Sequence, residues 1–210
     1  MKGTVTLNLS ECSIELRKGI AIEAKDAAVL AVLANDEEWV VRSAVANNSN
    51  TAQSDLTKLA KDIDRDVRIA VARNSNTSQD DLSKLAKNKS SDVRYAVARN
   101  SNTSEADLAK LAEDHDYDVR YTVATNSNTS EADLMKLSED KNEFVRMAAK
   151  KSLKARMLKW FPKEVENFYL FFLLIASNRW IKAKYIEHYL YKKHYTNLTN
   201  KYIWCIICIR

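Results

Sequence analysis

Val67 to Asp92 reads VRIAVARNSNTSQDDLSKLAKNKSSD, Val93 to Asp118 reads VRYAVARNSNTSEADLAKLAEDHDYD, and the stretch from Val119 reads VRYTVATNSNTSEADLMKLSEDKNEF. The three align without a gap at a period of 26 residues. Arg42, Arg68, Arg94, Arg120 and Arg146 mark that period along the chain, each preceded by a valine. A fixed period of roughly 20–50 residues is the signature of stacked repeats. Each such unit covers its apolar face only by packing on its neighbours.

One unit reads as two short helices and two turns. Val67, Ala70 and Val71 fall at i, i+3 and i+4, one face of a helix. Asp66, repeated as Asp92 and Asp118, stands where an N-cap is expected. Asn74, repeated as Asn48, Asn100 and Asn126, stands where a left-handed residue would close the helix. After the Ser-Asn-Thr turn, Thr51, Thr77, Thr103 and Thr129 are the expected N-caps of the second helix. Its inner face is Leu82, Leu85 and Ala86, in register with Leu56, Leu59 and Ala60 and with Leu108, Leu111 and Ala112.

The pattern starts at Leu30, Leu33 and Ala34 and fades after Val145. The expected fold is therefore an all-α solenoid of 26-residue two-helix repeats. It holds a half repeat, four full repeats and a partial fifth within residues 21–152. Residues 1–20 form an N-terminal extension or cap, with Val5, Leu7 and Leu9 alternating as in a short strand. Residues 153–210 form a basic, aromatic-rich tail.

Composition narrows the function classes. Gly3, Gly19 and Pro162 are the only residues of their kinds, which excludes a Gly-rich phosphate loop and a turn-rich β fold. Residues 151–210 carry 12 Lys/Arg against 3 Asp/Glu, a formal +9, whereas residues 1–150 carry 21 against 25, a formal −4. The basic character belongs to the tail. Cys12, Cys205 and Cys208 have no framework spacing, and the first 20 residues lack an apolar leader core, so a reducing, cytoplasmic setting is expected.

The phrase V-R-x-A-V-A-x-N-x-N-T-x-x-x-x-L-x-x-L-A-x-D resembles the leucine-rich repeat variant family, over roughly residues 27–150. The Asp-x-Val-Arg element is shared with HEAT-like repeats. The resemblance implies a right-handed superhelix of alternating α and short 3-10 helices. The chain departs from the family where prolines usually flank the threonine turn; here Ser75/Ser78, Ser101/Ser104 and Ser127/Ser130 stand instead. Some members hold an iron–sulfur cluster on several N-terminal cysteines, but this chain offers only Cys12 there.

Chemistry-bearing motifs are few. Asp62/Asp64/Asp66 and Asp114/Asp116/Asp118 invite a calcium reading, but neither run has the central Gly, and the twelfth positions are Arg73 and Thr125 instead of a bidentate Glu. Cys205-x-x-Cys208 has no second ligand pair at zinc spacing, with His188 and His194 badly placed. No cofactor, metal or catalytic constellation is expected, so the protein is not expected to be an enzyme. The five arginines are best read as a structural ladder, meeting Asp66, Asp92 or Asp118 in their own or a neighbouring layer and covering apolar surface with their stems.

The candidate site lies where the repeats differ. The residue after each arginine and the one four further on share a helix face. They give Ile69 and Arg73, Tyr95 and Arg99, Tyr121 and Thr125, flanked by Ser43/Asn47 and Met147/Lys151. Variable side chains on a fixed frame diversify a solenoid's binding surface. A non-catalytic scaffold for a protein partner is therefore expected. Nucleic-acid binding through the arginines and the tail is the alternative. The tail also offers Phe168–Ala176, FYLFFLLIA, as a capping helix or a peripheral membrane segment with Lys182, Lys184, Lys192 and Lys193 nearby. Its composition equally fits an AT-rich, out-of-frame end.

Overall fold

The computed structural model describes residues 9–160. The chain divides into two units, residues 1–155 and 156–210, and the repeats lie in the first. Eleven α-helices, a 3-10 turn at Leu9–Glu11 and no strand occur among the described residues, so the second helix of each pair is α and not the short 3-10 helix that the resemblance implies. Val5 and Leu7 lie outside the described residues, as do Phe168–Ala176, Lys182, Lys184, Lys192, Lys193, His188, His194, Cys205 and Cys208.

The helices come in pairs: α1 (Ile14–Glu23) with α2 (Ala27–Leu33), α3 (Trp39–Asn47) with α4 (Gln53–Leu59), and α5 (Arg65–Arg73) with α6 (Gln79–Leu85). They continue with α7 (Ser91–Arg99) and α8 (Glu105–Leu111), α9 (Tyr117–Thr125) and α10 (Glu131–Leu137), and end with α11 (Glu143–Trp160). The odd-numbered first helices pack on one another along the stack, α1 on α3, α3 on α5, α5 on α7 and α7 on α9. The even-numbered second helices pack mainly against the first helices on either side.

This stacking buries the rows read from the sequence. Val67, Ala70 and Val71, and Leu82 and Leu85, are buried, as are their equivalents one period away. Ala46, Ala72, Ala98 and Ala124 are also fully covered, a small-residue row that lets successive first helices approach closely. Helices of seven to nine residues are too short to hold in isolation. Their stability comes from this shared core.

The caps are not where the sequence places them. Asp64, not Asp66, caps α5: its carboxylate accepts from the N–H groups of Asp66 at 2.8 Å and Val67 at 3.4 Å. Asp116 does the same for α9 through Asp118 N–H at 2.9 Å. Asp62 and Asp114 set this up by accepting from Asp64 and Asp116 N–H, an Asx turn that leads the chain into the cap. Asp66, Asp92 and Asp118 lie within the first turn, where their charge still meets the positive helix end.

The second helices are capped by Ser78, Ser104 and Ser130, each accepting from an aspartate N–H three residues on. Thr51, Thr77, Thr103 and Thr129 are struts instead. Each buried hydroxyl donates to a valine carbonyl six residues back: Val45, Val71, Val97 and Val123, at 2.5–2.6 Å.

The asparagines differ as well. Asn74 ends α5 in an extended conformation, φ −70° and ψ 127°, not a left-handed one. Its Oδ1 accepts from Asn76 N–H, and its Nδ2 donates to Ala46 and Asn48 carbonyls in the preceding layer, at 2.8 and 3.0 Å. Asn48, Asn100 and Asn126 repeat the reach. The carbonyls that a helix leaves unpaired at its C-terminal end are thus closed by the next layer. On α11 Ser152 takes that place, its hydroxyl donating to Ala124 O at 2.6 Å, and the helix runs on instead of turning.

Candidate interaction surface

The arginine ladder has a definite geometry. Arg42 grips Asp62, Arg94 grips Asp114 and Arg120 grips Asp140, each through Nε and Nη2 at 2.6–3.0 Å. Nη1 of each arginine meanwhile donates to two carbonyls of the loop that precedes its own helix, as Arg94 does to Asn88 and Lys89. One guanidinium therefore ties together the loops on both sides of a unit. The aspartates are twenty residues ahead of the arginines, not the Asp66, Asp92 and Asp118 expected from the sequence. The pairing holds the Asp140 carboxyl below its ordinary range through the Arg120 bond. For Asp62 and Asp114 burial pushes upward, but the arginine and backbone hydrogen bonds outweigh it and the result is again lowered.

Arg68 breaks the series. Its Nη1 holds the carbonyls of Asp62 and Ile63, but the residue twenty ahead is Asn88. Asn88 keeps the turn by accepting from Ser90 N–H. It supplies no carboxylate, and Arg68 Nε is buried with no hydrogen-bond partner.

The second helices carry their own inward acids. Asp81 and Asp107 are almost fully buried at the first turns of α6 and α8. Asp81 Oδ2 accepts from Thr57 Oγ1 at 2.6 Å and from Ser78, and its other oxygen meets Lys84. Asp107 receives Ser83, Ser104 and Lys110 in the same way. Burial raises both carboxyls, yet these bonds outweigh it and hold them low. Lys84, Lys110 and Lys136, though exposed, each pair with the aspartate three residues back.

The first helices also carry side chains outside this frame. Ile69 and Tyr95 are half-buried, packed against the core; Tyr121 is 43% exposed. Arg73, Arg99 and Thr125 are exposed. Arg73 and Arg99 form no hydrogen bond or ion pair among the described residues. The candidate residues thus form two parallel rows on α5, α7 and α9, an apolar seam and a polar, mainly basic edge. Met147 and Lys151 on α11 continue both rows. On the other side of the seam stand Asp66, Asp92 and Asp118.

Sequence reading stops this surface at Ser43 and Asn47, and the structure extends it. α1 packs on α3 as one more first helix: Arg17 grips Asp36 at 2.7 Å, and Asn48 Nδ2 reaches Ala21 O at 2.9 Å. Arg17 precedes Arg42 by 25 residues, not 26, so a strict period misses it. Lys18, Ile22, Trp39, Ser43 and Asn47 line a hollow of about 390 Å³ at this end of the seam. The small side chains of Ser43 and Asn47 leave the space, and Ile22 and Trp39 are exposed beside it. An exposed Trp ahead of a Val-Val-Arg run is the one signal the sequence offered.

Shared core, interlayer ladders and an ordered succession of helix pairs make this chain a helical repeat solenoid. It is similar to a solved leucine-rich repeat variant with a novel repetitive structural motif, at 26% identity and a TM-score of 0.57, over 69% of this chain and 58% of that one. A designed armadillo repeat protein also aligns, at 19% identity and a TM-score of 0.41, over 67% of this chain and 90% of that one. No protein-family model and no curated protein matches the chain. No metal-binding cluster and no helix long and apolar enough to cross a membrane occurs among the described residues.

Proposed function

We propose that this solenoid is a non-catalytic, cytoplasmic scaffold that binds a protein partner across the face of its first helices. Ile69, Arg73, Tyr95, Arg99, Tyr121 and Thr125 are the central contacts. One observation carries the reading: the arginine, asparagine and threonine rows are spent on the frame, whereas the residues at 69, 95 and 121 and at 73, 99 and 125 change from layer to layer along one helix face. Tyr and Arg, two of the types that dominate interface energetics, recur there. Similarity to other repeat proteins supports a binding scaffold in general.

Nucleic acid is the weaker reading. Arg42, Arg94 and Arg120 turn their forks inward onto carboxylates, and residues 1–150 carry a net negative charge. Membrane attachment would rest on the tail alone.

The test uses full-length protein and Tyr95→Ala/Arg99→Ala as baits in lysate of the native host. A partner held by the first and weakened about tenfold or more by the second, with unchanged helical circular dichroism, is the expected result. Equal retention on both baits removes the surface. Retention on DNA or RNA that falls steeply with salt favours the alternative instead.

A further inference from the structure

The candidate surface has a repeat distance, and that distance selects the conformation of what it binds. First helices packed side by side stand about 8–10 Å apart, so equivalent side chains on α5 and α7 recur at about that spacing. Arg73 and Arg99 are such equivalents: exposed, unpaired among the described residues, and on adjacent layers. A β-strand repeats its same-face side chains at about 6.7 Å, too short for one residue pair per layer. A polyproline II segment has three residues per turn and a rise of about 3.1 Å, so its same-face repeat is about 9.3 Å. That matches the layers, and the conformation is already extended before it binds.

Charge fixes the composition. One edge of the seam carries Arg73, Arg99 and, two layers further on, Lys151; the other carries Asp66, Asp92 and Asp118, the first two paired with Arg65. A carboxylate facing the first edge is attracted, and one facing the second meets three acids against a single arginine already paired with two of them. Between them Ile69, Tyr95, Tyr121 and Met147 offer an apolar and aromatic seam, the kind of surface on which proline rings dock.

From this juxtaposition we propose that the partner segment is an acidic polyproline II stretch. Asp or Glu stands at every third position, facing Arg73 and Arg99, and proline or another apolar residue rests on Tyr95 and Tyr121. This rests on the first-helix face being the interaction surface, and it adds the partner's chemistry.

The test is fluorescence polarisation with full-length protein and labelled peptides of equal length. One is four repeats of Pro-Pro-Glu, one alternates Pro and Glu, and one is four repeats of Pro-Pro-Lys. The alternating peptide has more charge at the wrong spacing. The expected result is tightest binding of the Pro-Pro-Glu peptide, weakened about tenfold by Arg73→Ala/Arg99→Ala. Both arginines are exposed, so the variant keeps the wild-type helical signal. A ranking that follows total charge, a Lys peptide that binds as well, or no effect of the double variant overturns the proposal. So does binding of homopolymeric single-stranded RNA, lost in the double variant, with no binding of the Pro-Pro-Glu peptide. If no peptide binds but Tyr95→Ala/Arg99→Ala still releases a captured partner, the peptide class fails while the surface stands.

Discussion

Arg94 and Asp114, twenty residues apart, meet as a two-pronged pair, Nε to Oδ2 at 2.6 Å and Nη2 to Oδ1 at 2.8 Å, inside the turn that joins two layers. Asp114 also accepts from Asp116 N–H, and Asp116 in turn caps α9. Pair, turn and cap are one unit. Removing one member of a buried pair strands the other, at about 3–5 kcal/mol. Arg94 keeps some exposure, so the lower end applies. Arg94→Ala is expected to lower stability by about 3 kcal/mol in urea unfolding, and more than Arg68→Ala, whose arginine has no carboxylate to strand.

The same ladder sets the acid limit. Asp62, Asp114 and Asp140, with Asp81 and Asp107, have carboxyls lowered from 3.8 in the folded chain. A lowered folded value means stability fully present above the unfolded value and lost as pH falls through it toward the folded ones. The repeats should therefore hold their stability down to about pH 5 and lose it progressively below about pH 4. Unfolding midpoints measured from pH 7 to 2 check this. A midpoint unchanged down to pH 2 would contradict the inward pairing of these acids.

Asn88 invites repair. It holds the place of Asp62, Asp114 and Asp140, and Arg68 Nε is buried without a partner beneath it. Asn88→Asp keeps the side-chain shape and the turn while adding the missing acceptor. An unsatisfied buried donor costs about 1–3 kcal/mol. The variant is expected to gain about 1 kcal/mol at pH 7, and to lose that gain when the new carboxyl is protonated. A destabilised Asn88→Asp would mean that Arg68 does not follow the ladder geometry.

Period, helix pairing and core were legible because they depend on spacing alone: Val67, Ala70 and Val71, or Leu82 and Leu85, can share a face only in a helix. The caps were not, because the sequence offers two candidates at several helix starts. Asp64 and Asp66 both fit the N-cap rule, as do Thr77 and Ser78. Burial of Thr77 under Val71 O, and the turn made by Asp62, choose between them. Asn74 reads as a local helix terminator because its partners lie 26 and 28 residues away. α1 escaped detection through one residue of offset, and with it the hollow beside Trp39. The variable face could be outlined from periodicity, but the commitment of the arginine, asparagine and threonine rows to the frame could be seen only in three dimensions.

Ala52 tests the corrected cap directly. Ser78, Ser104 and Ser130 cap their helices, whereas the equivalent residue before α4 is Ala52, with no side-chain cap. Ala52→Ser is expected to stabilise by about 1 kcal/mol, and Ser104→Ala to cost about as much. Thr103→Val leaves the cap intact and removes the Val97 strut, so it should cost about 1 kcal/mol without changing where α8 begins. Were the threonine the cap, Ala52→Ser would be neutral and Thr103→Val would fray the helix, which hydrogen exchange at Asp107 N–H would register.

Asn100 probes how the layers communicate. Its amide holds Ala72 O and Asn74 O of the layer before and Asn102 N–H of its own turn, all in buried or half-buried surroundings. In a stacked-repeat protein stability is close to a sum of unit terms and nearest-neighbour interface terms. Asn100 belongs to one interface term, whereas Leu85, on a second helix packed between the first helices on either side, belongs to the core shared by both. Leu85→Ala should cost about 2–5 kcal/mol and lower the whole array while unfolding stays a single transition. Asn100→Ala should cost about 3 kcal/mol, roughly one for each hydrogen bond lost. Its loss falls on one interface, so the two halves on either side of the α5–α7 boundary should begin to open separately. Hydrogen exchange read layer by layer distinguishes these outcomes. Protection that falls equally everywhere in Asn100→Ala would show that the asparagine row does not couple the layers.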